Sequence, residues 1–236
     1  MRKRSKRYLE SRKKVENLKK TSFQTAIQTI AELGGGKFDQ TVDVAMRLGI
    51  DPKQSDQQVR SAVTLPHGTG KKTRVVAIVK GEKEQEAKEA GADLVGANDV
   101  IEKIQNGWLE FDKLITTPDM MGQVSKLGKV LGPKGLMPNP KLGTVTFDVG
   151  VAVKNEKKGK VEFRVDKTAN LHAYIGKISF GVDKLKENFK ALMEAILKSK
   201  PAGAKGVYLR SVAVSLTHSP SIRLDTHSIL NLSEGE

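Results

Sequence analysis

Residues 59–79 read VRSAVTLPHGTGKKTRVVAIV, and two kinds of strand meet within them. From Val59 to Leu65 apolar residues alternate with Arg60 and Thr64, the period of a half-buried strand with one wet face. From Val75 to Val79 every residue is apolar, as in a strand covered on both faces. Between the two, Pro66-His67-Gly68-Thr69-Gly70 has the composition of a hinge. The fold class therefore changes at this point in the chain.

Upstream, Phe23, Ile27 and Ile30 recur at helical spacing, so a helix is predicted over Ser22–Leu33. Thr21 and Gln24 would supply its capping box, and Gly34-Gly35-Gly36 its stop. Val42, Val44, Met46, Leu48 and Ile50 then alternate with polar or small residues, predicting a half-buried strand. This strand and the run from Val59 are expected to pair antiparallel across the loop DPKQSDQQ. The basic run of residues 1–20 carries no strand or helix-face pattern and is expected to supply nonspecific attraction.

Downstream the pattern is strand–helix–strand–helix. EKEQEAKEA reads as a helix stopped at Gly91, Asp93–Val95 as a short strand, and Asn98 as the start of a second helix stopped at Gly107. Leu114-Ile115 reads as a third strand, and Thr117-Pro118 opens a further helix with Pro at its first position. Such spacing implies parallel βαβ units. After a charged turn, NEKKGK, alternation returns in Val161, Phe163 and Val165. An amphipathic helix is predicted over about residues 182–198, then strands around Val212–Leu216 and Ile222–Leu224. One α+β domain from both chain ends, interrupted by an inserted α/β domain, accounts for all of this. The expected boundaries are 1–66 and 160–236 for the first domain and 67–159 for the second.

Composition narrows the function. The chain has 236 residues, 41 Lys and Arg against 27 Asp and Glu, and a net charge of +14, an excess typical of polyanion binding. Residues 1–20 hold ten basic residues and two acids, a net of +8, whereas residues 67–159 hold fifteen and twelve. Aromatics make up 5%, with the single Trp108, too few for a base-stacking track along a single strand. A folded RNA or a duplex backbone fits better. There are no cysteines, no apolar run long enough for a membrane span and no signal-peptide apolar region, so a cytoplasmic location is expected.

Catalytic and cofactor motifs fail on their spacing. Gly68–Thr73, GTGKKT, has Leu65 where a phosphate-binding loop needs its first glycine, and it precedes its strand. Gly81-Glu82-Lys83-Glu84 has one glycine and acids where a dinucleotide fingerprint needs three glycines. His67, His172, His218 and His227 have neither metal-ligand spacing nor cysteine partners, and no nucleophile motif occurs. No catalytic residue, metal, cofactor or small-molecule substrate is expected. His172 and His218 are read in basic polar loops that could touch RNA. Residues 119–141, DMMGQVSKLGKVLGPKGLMPNPK, are read as a fixed exposed loop in which glycines bring the backbone close to phosphate. Lys126, Lys129, Lys134 and Lys141 are its candidate contacts.

The core of that stretch, LGKVLGPKGLMPNP, resembles the signature of the ribosomal protein L-one family. KFDQTVDVAMRLGIDPKQSDQQVRSAVTLPHGTGK, EAGADLVGANDVIEKIQNGWLEFD and FRVDKTANLHAYIGKISF resemble further family segments in the same order, in their bacterial form. The resemblance implies a split, open-sheet α+β domain (ferredoxin-like) and an inserted three-layer, Rossmann-like α/β domain. It implies a monomer within the large ribosomal subunit, at the mobile stalk beside the tRNA exit site. There it would bind structured rRNA, assist release of deacylated tRNA and repress translation of its own operon mRNA. A free-standing RNA-binding translational repressor is the alternative. By the same resemblance the rRNA contacts carry over onto Lys37, Phe38, Thr41, Arg164, Lys167 and Thr217, with His172 and His218 beside them. The lysines of residues 119–141 would reach tRNA or further rRNA. Thr217-His218-Ser219 departs from the family's usual Thr-Met-Gly, and Tyr174 stands where the family favours Pro. Losing that glycine restricts close backbone approach, while His218 adds a possible donor.

Overall fold

The computed structural model describes residues 4–16, 18, 20–33 and 38–229. In chain order its main elements are α1 (Lys6–Glu16), α2 (Phe23–Leu33), β1 (Thr41–Leu48), β2 (Arg60–Thr64), β3 (Val75–Ile78), α3 (Glu82–Glu89), β4 (Leu94–Gly96), α4 (Asn98–Gln105), β5 (Lys113–Thr116), α5 (Met121–Val124), α6 (Gly128–Leu131), α7 (Val149–Lys158), β6 (Lys160–Arg164), β7 (Asn170–Lys177), α8 (Gly181–Lys198), β8 (Leu209–Leu216) and β9 (Ile222–Leu224). The chain divides into two compact units, one formed by the segments up to Gly70 and from Val161 onward, the other by Lys71–Lys160.

The first unit is built on an antiparallel sheet of order β7-β1-β8-β9. In β1, Val42, Val44, Met46 and Leu48 are buried, as alternation requires. They share a core with Phe23, Ile27 and Ile30 of α2 and with Leu185, Phe189, Leu192 and Ile196 of α8. Phe23 and Phe189 stack at 4.1 Å with nearly parallel rings, joining the two helices on one side of the sheet. The other face presents Asp43, Arg47, His172, Tyr174 and Ser211, all exposed.

The β1–β2 hairpin is not formed. β1 sits between β7 and β8, while β2 pairs with β6 in a separate two-stranded sheet. β7 is not among the predicted strands, although buried Leu171, Ala173 and Ile175 alternate with Asn170, His172 and Tyr174. A bulge lies between Val42 and Asp43 of β1, whose partners are Gly176 and Tyr174, so Ile175 has no opposite residue. Its carbonyl accepts from buried Asn188 Nδ2 at 2.7 Å. Asn188 also accepts from His67 N and donates to the Gly68 carbonyl, each at 3.0 Å, and so holds the segment after β2 against α8.

The second unit has a parallel sheet of order β4-β3-β5. Every β3 residue is buried, and its side chains serve two cores in turn. Val76 and Ile78 pack with Val100, Ile101 and Ile104 of α4, while Val75 and Ala77 pack with Ala87 of α3 and Val149 and Val153 of α7. That makes three layers. Asp112 fixes the entry to β3 by accepting from Arg74 N at 3.0 Å and Lys71 Nζ at 2.6 Å, contacts that hold its carboxyl below the usual range.

Four local expectations are corrected. NEKKGK is not a free turn: Asn155–Lys158 form the last turn of α7, ended by Gly159 at φ 101°. Inside the unit, Lys160 reaches the buried Glu156 at 3.2 Å and donates to the Leu142 carbonyl. The helix predicted to open at Thr117-Pro118 is present, but the fixed loop expected after it is also largely helical, since α5, α6 and intervening 3-10 turns occupy Pro118–Leu131. Met120, Val124, Leu127 and Leu131 recur at helical spacing and are buried, which outweighs the low helix propensity of Gly122 and Gly128. The basic N-terminal run contains α1, anchored where Val15 joins the core. At α2 the cap is Ser22, whose Oγ accepts from Thr25 N at 3.3 Å, not Thr21, which bridges to Leu224.

Candidate nucleic-acid interface

At the end of the open sheet where β1 begins and β8 finishes, four predicted residues come together. Thr41 N donates to Thr217 Oγ1 at 3.3 Å, tying the start of β1 to the turn after β8. Phe38 is 51% exposed and meets His218 edge-on, ring centroids 5.5 Å apart. Phe38 is therefore a surface ring and not a core residue. Lys37 lies outside the described residues.

The groups that fix this end were missed from sequence, because they are short polar residues without a motif. Gln40 is buried, and its Oε1 accepts from His218 N at 3.2 Å. Lys177 Nζ donates to Thr41 Oγ1 at 2.9 Å and to the Asp39 carbonyl at 3.3 Å. The Asp39 carboxylate accepts from Ser179 Oγ at 2.7 Å and Ser179 N at 3.2 Å. Asp43 stands next on the open face; partial desolvation by its neighbours raises its carboxyl above the usual range, with the charges of Lys177 and His172 opposing. The turn keeps its shape without glycine. Ser219 Oγ accepts from Leu216 N at 2.9 Å, and Ala169 is the only non-glycine at positive φ among the described residues.

Arg164 and Lys167 do not join this cluster. They flank the β6–β7 connection, where β7 begins at Asn170 opposite Arg47. Thr41 lies six residues away along β1, about 20 Å at strand rise. His172 sits between the two ends, exposed on β7 opposite Ala45, and so belongs to the sheet face and not to a loop. The Lys167 loop is built around Asp166, whose carboxylate accepts from Thr168 N, Asn170 N and Thr168 Oγ1, each at 2.8 Å. The Asn170 and Thr168 bonds hold the carboxyl down at about 2. Ala169 at φ 63° completes the turn.

The start of α1 borders the Thr217 turn through Arg7, Tyr8 and the preceding Ser5, which line a shallow cavity with Thr217, His218 and Ser219. Lys6, Arg7, Lys13 and Lys14 thus belong to a folded element, whose first turn lies beside the Thr217 turn. The candidate surface presents hydroxyls, amides and cations, a chemistry that can read sugar and phosphate shape. In the second unit Lys126, Lys129, Lys134 and Lys141 are all exposed. No group of His, Asp and Glu among the described residues could hold a metal ion, and no described helix is long and apolar enough to cross a membrane.

Residues 13–220 match the model of the ribosomal protein L1p/L10e family. The chain belongs to that family. A relative named large ribosomal subunit protein uL1, from Bdellovibrio bacteriovorus, is 59% identical over 216 residues, covering 92% of each chain. The matched family is one of ribosomal proteins. The match spans the whole open face from Thr41 to His218, both crossings between units and the lysine-bearing segment of the second unit.

Proposed function

We propose that this protein is a constituent of the large ribosomal subunit that binds large-subunit rRNA through the open sheet face of its first unit. The observation that carries the reading is the network in which Thr41, Thr217, Phe38 and His218 are locked together by Gln40 and Lys177 at an exposed surface. Rigid short side chains suit recognition of a structured RNA, where the ordering cost is met before binding. The relative's name supports the large subunit as the assembly.

In this reading Lys167 and Arg164 extend the rRNA contact to the other end of the sheet. The first unit is a ferredoxin-like anchor and the second a Rossmann-like arm. Lys126, Lys129, Lys134 and Lys141 on that arm approach exit-site tRNA, placing the protein in the mobile stalk that aids release of deacylated tRNA. The same rRNA-shaped surface would bind a mimic in its own operon mRNA and repress translation. Sucrose-gradient sedimentation of cell extract tests the assembly: the protein should travel with large subunits at high salt. Recovery only at the top of the gradient would instead favour a free-standing repressor.

A further inference from the structure

The cavity between α1 and the turn after β8 has a volume of about 390 Å³ and is walled by Ser5, Arg7, Tyr8, Thr217, His218 and Ser219. That volume lies in the ~300–1,000 Å³ range of small-ligand sites and is far too small for a duplex. Its chemistry is mixed in a particular way. Tyr8 and His218 contribute rings, with the Arg4 guanidinium lying over one face of Tyr8, while Arg7 brings a planar cation and Thr217 a hydroxyl. Thr217 Oγ1 already accepts from Thr41 N, so its hydrogen is left to donate outward. Gln40 holds the His218 backbone, and Phe38 packs edge-on against the His218 ring, so that wall is fixed in advance.

A flat π face, hydroxyls and an anion partner are together what a single nucleotide requires. We infer that this cavity holds one unstacked nucleotide of the bound RNA, its base against His218 and Tyr8 and its phosphate toward Arg7. The inference rests on the rRNA-binding reading and adds a subsite to it. It also resolves the scarcity of aromatics: a strand-long track needs many rings, whereas one splayed-out nucleotide needs two. α1 then acts as one wall of a specific subsite, beyond any general attraction from its charge.

Binding of the full-length protein to a large-subunit rRNA fragment tests this. Arg7→Ala and His218→Ala should each weaken affinity about 5- to 50-fold, the range expected for losing one stacked or charge-paired nucleotide. The double variant should lose clearly less than the product of the two, because one nucleotide touches both side chains. Lys13→Ala, exposed on the same helix, should combine multiplicatively with His218→Ala. Abasic substitution along the RNA should reveal one position where removing the base weakens the wild type and has no further effect on His218→Ala. Unchanged affinity in the single variants, or fully multiplicative losses, would overturn the subsite and leave rRNA binding standing. Failure of the wild type to bind the fragment would overturn both. A free nucleoside monophosphate at millimolar concentration should not displace the RNA; displacement would mark a free-nucleotide site and refute the assignment to RNA.

Discussion

Asn188→Leu removes the polar end of a buried side chain while nearly keeping its volume, and its cost can be worked out group by group. Three bonds are lost: Asn188 Oδ1 from His67 N, and Asn188 Nδ2 to Gly68 O and to Ile175 O. The Ile175 carbonyl is the serious one, because the bulge gives it no opposite residue on β1 and its surroundings are dry. An unsatisfied buried carbonyl costs roughly 1–3 kcal/mol. His67 and Gly68 are accessible to water, so each of their bonds is worth only about 0.5–1.5 kcal/mol. The total is about 2–6 kcal/mol, a large share of the stability of a unit this size. Urea unfolding of the full chain, followed by amide exchange in β1 and β7, measures it without assuming one transition. Exchange should accelerate in both strands and in residues 66–68. A loss below about 1 kcal/mol, or protection unchanged around Ile175, would refute the role given to Asn188.

Other consequences are as direct. Phe189→Ala, which empties the stack on Phe23 in the core of the first unit, should cost about 3–5 kcal/mol by thermal or urea denaturation. Asp166 has a carboxyl lowered to about 2 from 3.8, so its stabilisation is complete above 3.8 and is lost as the pH falls toward 2. Asp166→Asn should therefore flatten the acid limb of stability in that window, seen by circular dichroism; an unchanged acid limb would contradict the network around Thr168 and Asn170. Gln40→Ala should release the His218 backbone and weaken RNA binding without contacting RNA itself, a loss measurable by filter binding.

Much of the fold was readable because burial imposes periodicity. β1, α2, α4 and α8 each carry an uninterrupted period and β3 an unbroken apolar run, and each lies within a residue or two of its predicted position. What failed was what periodicity cannot encode. Pairing of β1 with β7 and β8 is a nonlocal choice, invisible in strands considered singly. Residues 119–141 were misread because glycine and proline weigh against helix, although Met120, Val124, Leu127 and Leu131 had the helical spacing. α1 was missed because its charged face drowned a short apolar one, Val15 being its only buried residue. At the site, Phe38, Thr41 and Thr217 came from family resemblance. Gln40, Asp39, Lys177 and Ser179 carry no signal beyond their places in the three-dimensional network.

The central claim is a division of labour: the sheet end of the first unit recognises rRNA, and the lysines of the second unit do not set that affinity. Equilibrium filter binding to the isolated rRNA fragment, with Thr217→Ala compared against Lys134→Ala at one fixed salt concentration, tests it most directly. Thr217→Ala loses the hydroxyl that accepts from Thr41 N and should weaken binding about tenfold, roughly the worth of one positioned polar contact. Lys134→Ala should leave affinity within about twofold, as expected for a residue outside the contact surface. Equal losses from the two substitutions would contradict the account.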